Sequence, residues 1–237
     1  MFLLGMADLC IEVNNQYSFV EAQCKGFPGK GKPSFSVSVT NEEIAEEQSH
    51  GAFSAGYCES ICLYRKICEI LPAYNVFLMH SAVIEVNGAA YAFTAKSGVG
   101  KSTHLRLWLK NIEGARVLNG DKPLYRVEEN GQITVFGTPW NGKENWGVNA
   151  SAPLRAVCFI ERGLQNTIRR APEPEVIARL MHQLYLRGSR ESVDRQLLLM
   201  NELVRSVPYY VLSCNISDEA ALLSYETMSR GAQAKGE

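Results

Sequence analysis

Ala95-Lys96-Ser97-Gly98-Val99-Gly100-Lys101-Ser102-Thr103 follows an apolar run, Ala89 to Phe93, and precedes an apolar-periodic stretch, Leu105 to Leu109. Strand, glycine-bearing loop and helix in that order spell a phosphate-binding loop. Gly98 and Gly100 admit backbone conformations closed to residues with a Cβ, so successive N–H groups can converge on an anion. Lys101 can set an ammonium on β- and γ-phosphates, and Ser102 can offer its hydroxyl to Mg²⁺. The helix that begins there points its positive end at the same phosphates. Ala95 stands where glycine is usual, which narrows the backbone choices and removes no donor. The competing reading is a βα turn that matches the motif by chance; the strand before it and the helix after it weigh against that.

Outward from the loop, the chain punctuates itself. Val76 to Met79 and Ala82 to Val86 read as strands, and Asn87-Gly88 is a hairpin signal leading into Ala89 to Phe93. After the helix come strands at Ala115 to Leu118, Leu124 to Val127 and Gln132 to Phe136, the last two joined by the turn Glu129-Asn130-Gly131. Ala156 to Ile160 is a continuous apolar run, typical of a strand buried on both faces. Helices follow at Glu173 to Leu186, Val193 to Val204 and Ser217 to Met228, with a strand at Tyr209 to Leu212. The first part is less regular. Leu9 to Val13 and Phe35 to Val39 alternate as strands, residues 26–33 are a turn-rich, solvated loop, Asn41 can cap a helix through Gln48, and Tyr57 to Leu71 is a helix ended by Pro72. The expected organisation is a small β/α layer over residues 1–72, a lid or docking layer, then a kinase-like core over 73–230 and a disordered tail over 231–237.

The chain has 237 residues and a net charge of −1, with its basic residues scattered. No footprint for nucleic acid is present. No apolar run approaches the length of a membrane span, and Met1 to Cys10 lacks a basic stretch and is broken by Asp8, so a soluble cytoplasmic protein is expected. Seven cysteines without a C-x-x-C pair, Cys58, Cys62 and Cys68 among them, predict reduced thiols. His50, His80, His104 and His182 are too far apart in sequence for zinc-ligand spacing.

Phosphoryl transfer needs a carboxylate to hold metal or take the acceptor's proton. Asp121 is the candidate: it follows the strand Ala115 to Leu118 at a carboxyl strand end, where open α/β sheets bind ligands. A turn aspartate beside Gly120 is the plain alternative. His80 ends the strand from Val76, and the hairpin can bring it beside the nucleotide. The block Gly137 to Gly147, with Trp140, Asn141 and Lys143, together with Glu161 and Arg162, could line the acceptor side of the same crevice. His104 reads as a surface or packing residue.

The run Met79 to Gly88, the loop Ala95 to Thr103 and Leu118-Asn119-Gly120-Asp121 together resemble the catalytic domain of bacterial HPr kinase/phosphorylase, a relative of the nucleotide core of ATP-dependent phosphoenolpyruvate carboxykinase. The likeness covers about Val76 to Gly163 and rests on His80, Ser97, Gly98, Gly100, Lys101, Ser102 and Asp121. It implies an α/β fold of the phosphoenolpyruvate-carboxykinase-like kind, a mixed sheet whose phosphate loop follows a β-hairpin. It also implies use of ATP and Mg²⁺, with Lys101 and residues 95–103 on the nucleotide, Ser102 and Asp121 on the metal, and Asp121 assisted by His80 in catalysis. Two departures stand out. HPr kinase has adjacent aspartates where this chain has Gly120-Asp121, and its signature after the central strand is not reproduced in Phe159 to Gly163; with too short an amino-terminal region, this weighs against HPr itself as acceptor. The expected function is transfer of the γ-phosphoryl of MgATP to a hydroxyl of a serine-bearing protein, peptide or small metabolite, with room for a homo-oligomer. The alternative is an ATP-binding regulatory or scaffold module without catalysis.

Overall fold

A computed structural model describes residues 1–96 and 98–230. Ser97 and residues 231–237, with the expectations placed on them, lie outside the described residues. The chain forms β1 (Phe2–Met6), β2 (Leu9–Asn14), α1 (Ser18–Cys24), β3 (Phe35–Ser38), α2 (Asn41–Gln48) and α3 (Ala55–Ile70), closed by a 3-10 turn at Leu71–Tyr74. Next come β4 (Val76–Leu78), β5 (Ala82–Val86), β6 (Ala89–Thr94), α4 (Lys101–Asn111), β7 (Arg116–Asn119), β8 (Leu124–Val127) and β9 (Ile133–Phe136). Then follow β10 (Ser151–Arg162), β11 (Thr167–Arg170), α5 (Glu173–Leu180), α6 (Arg190–Ser206), β12 (Tyr209–Cys214) and α7 (Asp218–Arg230).

The fold is mixed α/β. Nine strands make one mixed sheet in which the long β10 serves two neighbourhoods: its start pairs antiparallel with β9, and its later part runs parallel to both β6 and β12. From β12 the order continues β10, β6, β5, β7, with β5 antiparallel to both neighbours. The carboxyl ends of β12, β10, β6 and β7 therefore share one edge with the amino end of β5.

Alternation sorts the side chains onto two faces. Ala90 and Ala92 of β6, Val157 and Phe159 of β10, and Tyr209 and Val211 of β12 join a core with Val176 and Leu180 of α5 and Leu199 and Leu203 of α6. Their neighbours Tyr91, Phe93, Ala156, Cys158, Ile160, Tyr210 and Leu212 face the other way, onto Leu105 and Trp108 of α4 and Ala221 and Met228 of α7. A strand buried on both faces needs the continuous apolar run that β10 has.

The amino-terminal layer is a three-stranded sheet, β1-β2-β3, packed on α3. Its core takes in Val76, Leu78, Leu124, Phe136 and Trp140. It is docked beside β4, β8 and the loop after β9: Tyr64 stacks on Trp140 with ring centroids 4.1 Å apart and donates its hydroxyl to the Lys122 carbonyl at 2.8 Å.

Three local expectations need correction. The cap of α2 is Thr40, whose Oγ1 accepts the Glu43 N–H at 3.3 Å while the Glu43 carboxylate accepts the Thr40 N–H at 2.8 Å, a reciprocal capping box. Helix α5 stops at Leu180 and not at Leu186, because Leu184 bridges to Met79 and the Gln183 carbonyl accepts the His80 N–H at 2.8 Å. The strand expected over residues 156–160 runs from Ser151 to Arg162. No helix among the described residues is long and apolar enough to cross a membrane. The cysteines are unpaired, and all but Cys214 are buried.

Candidate active site

Between β6 and α4 the chain turns through Gly98 at φ 77° and Gly100 at φ 130°, both in the region that penalises a Cβ. Gly100 caps α4 without a side chain, so the first backbone N–H groups of that helix have no side-chain cap. Arg162, at the end of β10, reaches under the turn: its guanidinium donates to the carbonyls of Gly98 at 2.5 Å and Val99 at 3.3 Å. Within the turn the Val99 N–H donates to the Lys96 carbonyl at 3.2 Å. Ala95 is buried, Lys96 and Gly98 are exposed, and Val99, Gly100, Lys101, Ser102 and Thr103 are half-buried.

Lys101 donates to the Ala95 carbonyl at 3.4 Å. Burial pushes its pKa below the usual lysine value, and the nearby Asp121 charge pulls it partly back. Asp121 follows β7. The buried side chain of Asn119 holds it in place: its Oδ1 accepts the N–H of Asp121 at 2.9 Å and of Lys122 at 2.8 Å, while its Nδ2 donates to Thr138. The Asp121 Oδ1 lies 2.8 Å from His80 Nε2, and the two side chains are 29% and 38% exposed, so the pair opens to solvent rather than into the core. Burial alone would raise the Asp121 pKa. The His80 hydrogen bond and the charges of His80, Lys122 and Lys101 outweigh it and hold the carboxyl below its ordinary value, ionised at neutral pH. His80 itself is fixed by its backbone, its carbonyl accepting the Thr94 hydroxyl at 3.1 Å and its N–H donating to Gln183 at 2.8 Å. One sheet edge thus gathers the glycine turn, Lys101, His80 and Asp121.

The block from Gly137 to Gly147 departs from expectation. Trp140 and Asn141 are buried and offer little side-chain surface to an acceptor, although Gly142 of the same block packs against Asp121: the Trp140 indole stacks on Tyr64 and donates to Ser60 Oγ at 2.9 Å, and Asn141 packs against Gly120 and Gly147. Lys143 is exposed on this loop. Arg162 stands at the end of β10, with β6 and β5 between it and β7, so these four residues do not form one wall facing the loop. His104 is buried on α4, its Nε2 3.1 Å from Ser224 Oγ. The positioning roles of Asn119 and Thr94 are not evident in the sequence; the Asn-Gly-Asp order is the available sign of a side-chain-held turn.

Gly120 has a steric cause. A Cβ there would lie 2.8 Å from the Asn141 carbonyl oxygen and 3.5 Å from Trp146. A second aspartate does not fit at this position. Gly120→Ala is expected to cost about 1–3 kcal/mol in urea unfolding, the usual penalty for forced overpacking; unchanged stability would mean that the 141–146 segment yields freely.

Burial pushes the His104 pKa down to about 4 from 6.5. Between those values the unfolded chain binds a proton that the folded chain refuses, so stability falls as pH drops from about 6.5 to about 4 and the loss levels off below. The full difference is about 3 kcal/mol. Urea melts at pH 7 and pH 4.5 should show a smaller drop in His104→Gln than in the wild type; equal drops would contradict a neutral buried imidazole.

Comparison with protein-family models and with curated proteins gives no match. Among solved structures, the chain is similar to the HPr(Ser) kinase/phosphatase from Coxiella burnetii, at 14% sequence identity and a TM-score of 0.39, over 67% of this chain and 91% of that chain.

Proposed function

We propose that the chain binds MgATP at residues 95–103 and transfers the γ-phosphoryl to a hydroxyl of a serine-bearing protein, peptide or small metabolite. The observation that carries this reading is the meeting, at one sheet edge, of a glycine turn at a helix start, a lysine and an ionised aspartate paired to a histidine. Each device has a separate task. Loop N–H groups and the start of α4 suit phosphate oxygens, and Lys101 adds positive charge where the β- and γ-phosphates would lie.

Among the described residues no cluster of three or more His, Cys, Asp or Glu could hold a metal ion. Magnesium fits all the same, because it keeps several waters and takes one or two protein groups together with phosphate oxygens. Ser102 and Asp121 are the groups that would hold it. When bound, it supplies charge neutralisation on the phosphates.

The hydroxyl oxygen of the acceptor attacks the γ-phosphorus, the bond from that phosphorus to the β–γ bridging oxygen breaks, and ADP leaves. Asp121 takes the hydroxyl proton, and His80, through its 2.8 Å contact, fixes the orientation of the carboxylate. A second reading has one observation in its favour: the packing around Gly120 leaves a single carboxylate, which suits an ATP-binding regulatory module without transfer. Release of labelled phosphate or of a labelled acceptor from γ-labelled ATP separates the two, since a module without catalysis gives neither.

A further inference from the structure

Ser102 and Arg106 stand four residues apart on α4 and so share one of its faces. From that face Arg106 leans across to the turn at residues 142–147: its Cζ lies 5.3 Å from the centroid of the Trp146 ring, and its Nη2 lies 3.8 Å from Glu144 Oε1. The same turn is pressed against the aspartate. The Gly120 N–H donates to the Trp146 carbonyl at 2.7 Å, and Gly142, at φ 83°, comes so close that a Cβ there would lie 3.0 Å from the Asp121 Cβ. Both its φ and its contact suit glycine. The next residue, Lys143, is exposed. Two cations therefore border the carboxylate, one a helical turn beyond Ser102 and the other one residue beyond Gly142. Arg106 is held without being used up. Its side chain is 62% exposed, its approach to Glu144 is beyond hydrogen-bond reach, and a ring beneath a guanidinium leaves the N–H donors free.

We propose that Arg106 and Lys143 select the acceptor, and that the hydroxyl receiving the phosphoryl group is carried by a molecule with a carboxylate close beside it. The inference rests on the phosphotransferase reading and narrows its acceptor. Lys101 has its task on the nucleotide, whereas Arg106 and Lys143 lie on the two elements that flank the proton acceptor. A guanidinium fork matches a carboxylate in shape as well as in charge. The Asp121–His80 pair opens to solvent, and on an open surface opposite charge sorts partners and fixes their register. An acidic residue beside a serine in a peptide and a free hydroxy acid present the same chemistry to these cations.

Labelling of four probes by the full chain with γ-³²P-labelled ATP and Mg²⁺ tests this: the end-blocked peptides Glu-Glu-Ser-Glu-Glu and Gln-Gln-Ser-Gln-Gln, and free L-serine and L-serinamide. In at least one pair the carboxylate-bearing member should be labelled about three- to tenfold faster below saturation, the range for one or two exposed charge pairs. The advantage should shrink in about 0.5 M NaCl. The pair that shows it identifies the source, peptide or small molecule. Arg106→Gln, at an exposed position, should lower the ratio through a rise in the acceptor KM, and Arg106→Lys should keep part of the advantage, which a packing role would not produce. Adding Lys143→Gln should bring the ratio near one. Equal labelling within both pairs, a preference that survives the double substitution, or a matching rise in the KM for ATP would overturn the inference and leave phosphoryl transfer standing. Label on components of a cell lysate but on none of the four probes would overturn it as well. No label on probes or lysate would overturn the phosphotransferase reading, and the inference with it.

Discussion

Asp121→Asn is expected to lower phosphoryl transfer at least a thousandfold while ATP affinity changes by less than about tenfold. The asymmetry follows from where each residue acts. The loop N–H groups and Lys101 would meet the phosphates in the ground state as well as in the transition state, whereas Asp121 would add only one of magnesium's several ligands in the ground state and take the proton as the hydroxyl attacks. The substitution keeps shape and removes charge. A carboxamide at this position can still meet His80 and sit in the turn that Asn119 holds, so the fold should survive. Rates and thermal melts taken on the same preparations check both halves. Lost transfer together with lost folding would make Asp121 a structural residue, and retained transfer would remove it from the mechanism.

Lys101→Ala is expected to weaken MgATP binding at least a hundredfold and to abolish most of the rise in melting temperature that saturating MgATP gives the wild type. A ligand at a hundred times its Kd stabilises by about 2.7 kcal/mol, and a hundredfold loss of affinity removes nearly all of it at the same concentration. The apo protein should stay folded, since the hydrogen bond that the Lys101 ammonium makes to the Ala95 carbonyl is a long one. An equal shift in wild type and variant would show that the nucleotide binds elsewhere.

Much of the sheet is legible in the sequence because burial writes itself as a pattern. The runs in β6, β10 and β12 are apolar at nearly every position since each face has its own helical layer, and the Asn87-Gly88 turn carries positive φ at both residues, as the hairpin signal implies. Other elements leave no such trace. The β1–β2 hairpin turns through Ala7 and Asp8 at φ 47° and 55°, a conformation that alanine does not advertise. Strand β11 is an edge strand with Ile168 as its one apolar side chain, and its arginines lie over Tyr210 or pair with Glu175. The end of α5 depends on a bridge to Met79, far away in sequence, that competes with the helix for the backbone of residues 183 and 184.

The candidate site divides in the same manner. The loop is local, and its glycines adopt the conformations their positions suggest. Trp140 and Asn141 mislead because a polar, aromatic, glycine-rich composition describes an exposed substrate loop and a tightly packed one equally well; the deciding contact is with Tyr64 on α3.

Phosphoryl transfer from ATP by this chain can be read directly. Incubation of purified protein with γ-³²P-labelled ATP, Mg²⁺ and a lysate of the source cell, beside the Asp121→Asn variant and a protein-free control, tests it most directly. A labelled protein, peptide or small molecule is predicted with the wild type, and only background with the variant. No label above background with the wild type, or equal label with both proteins, would contradict it.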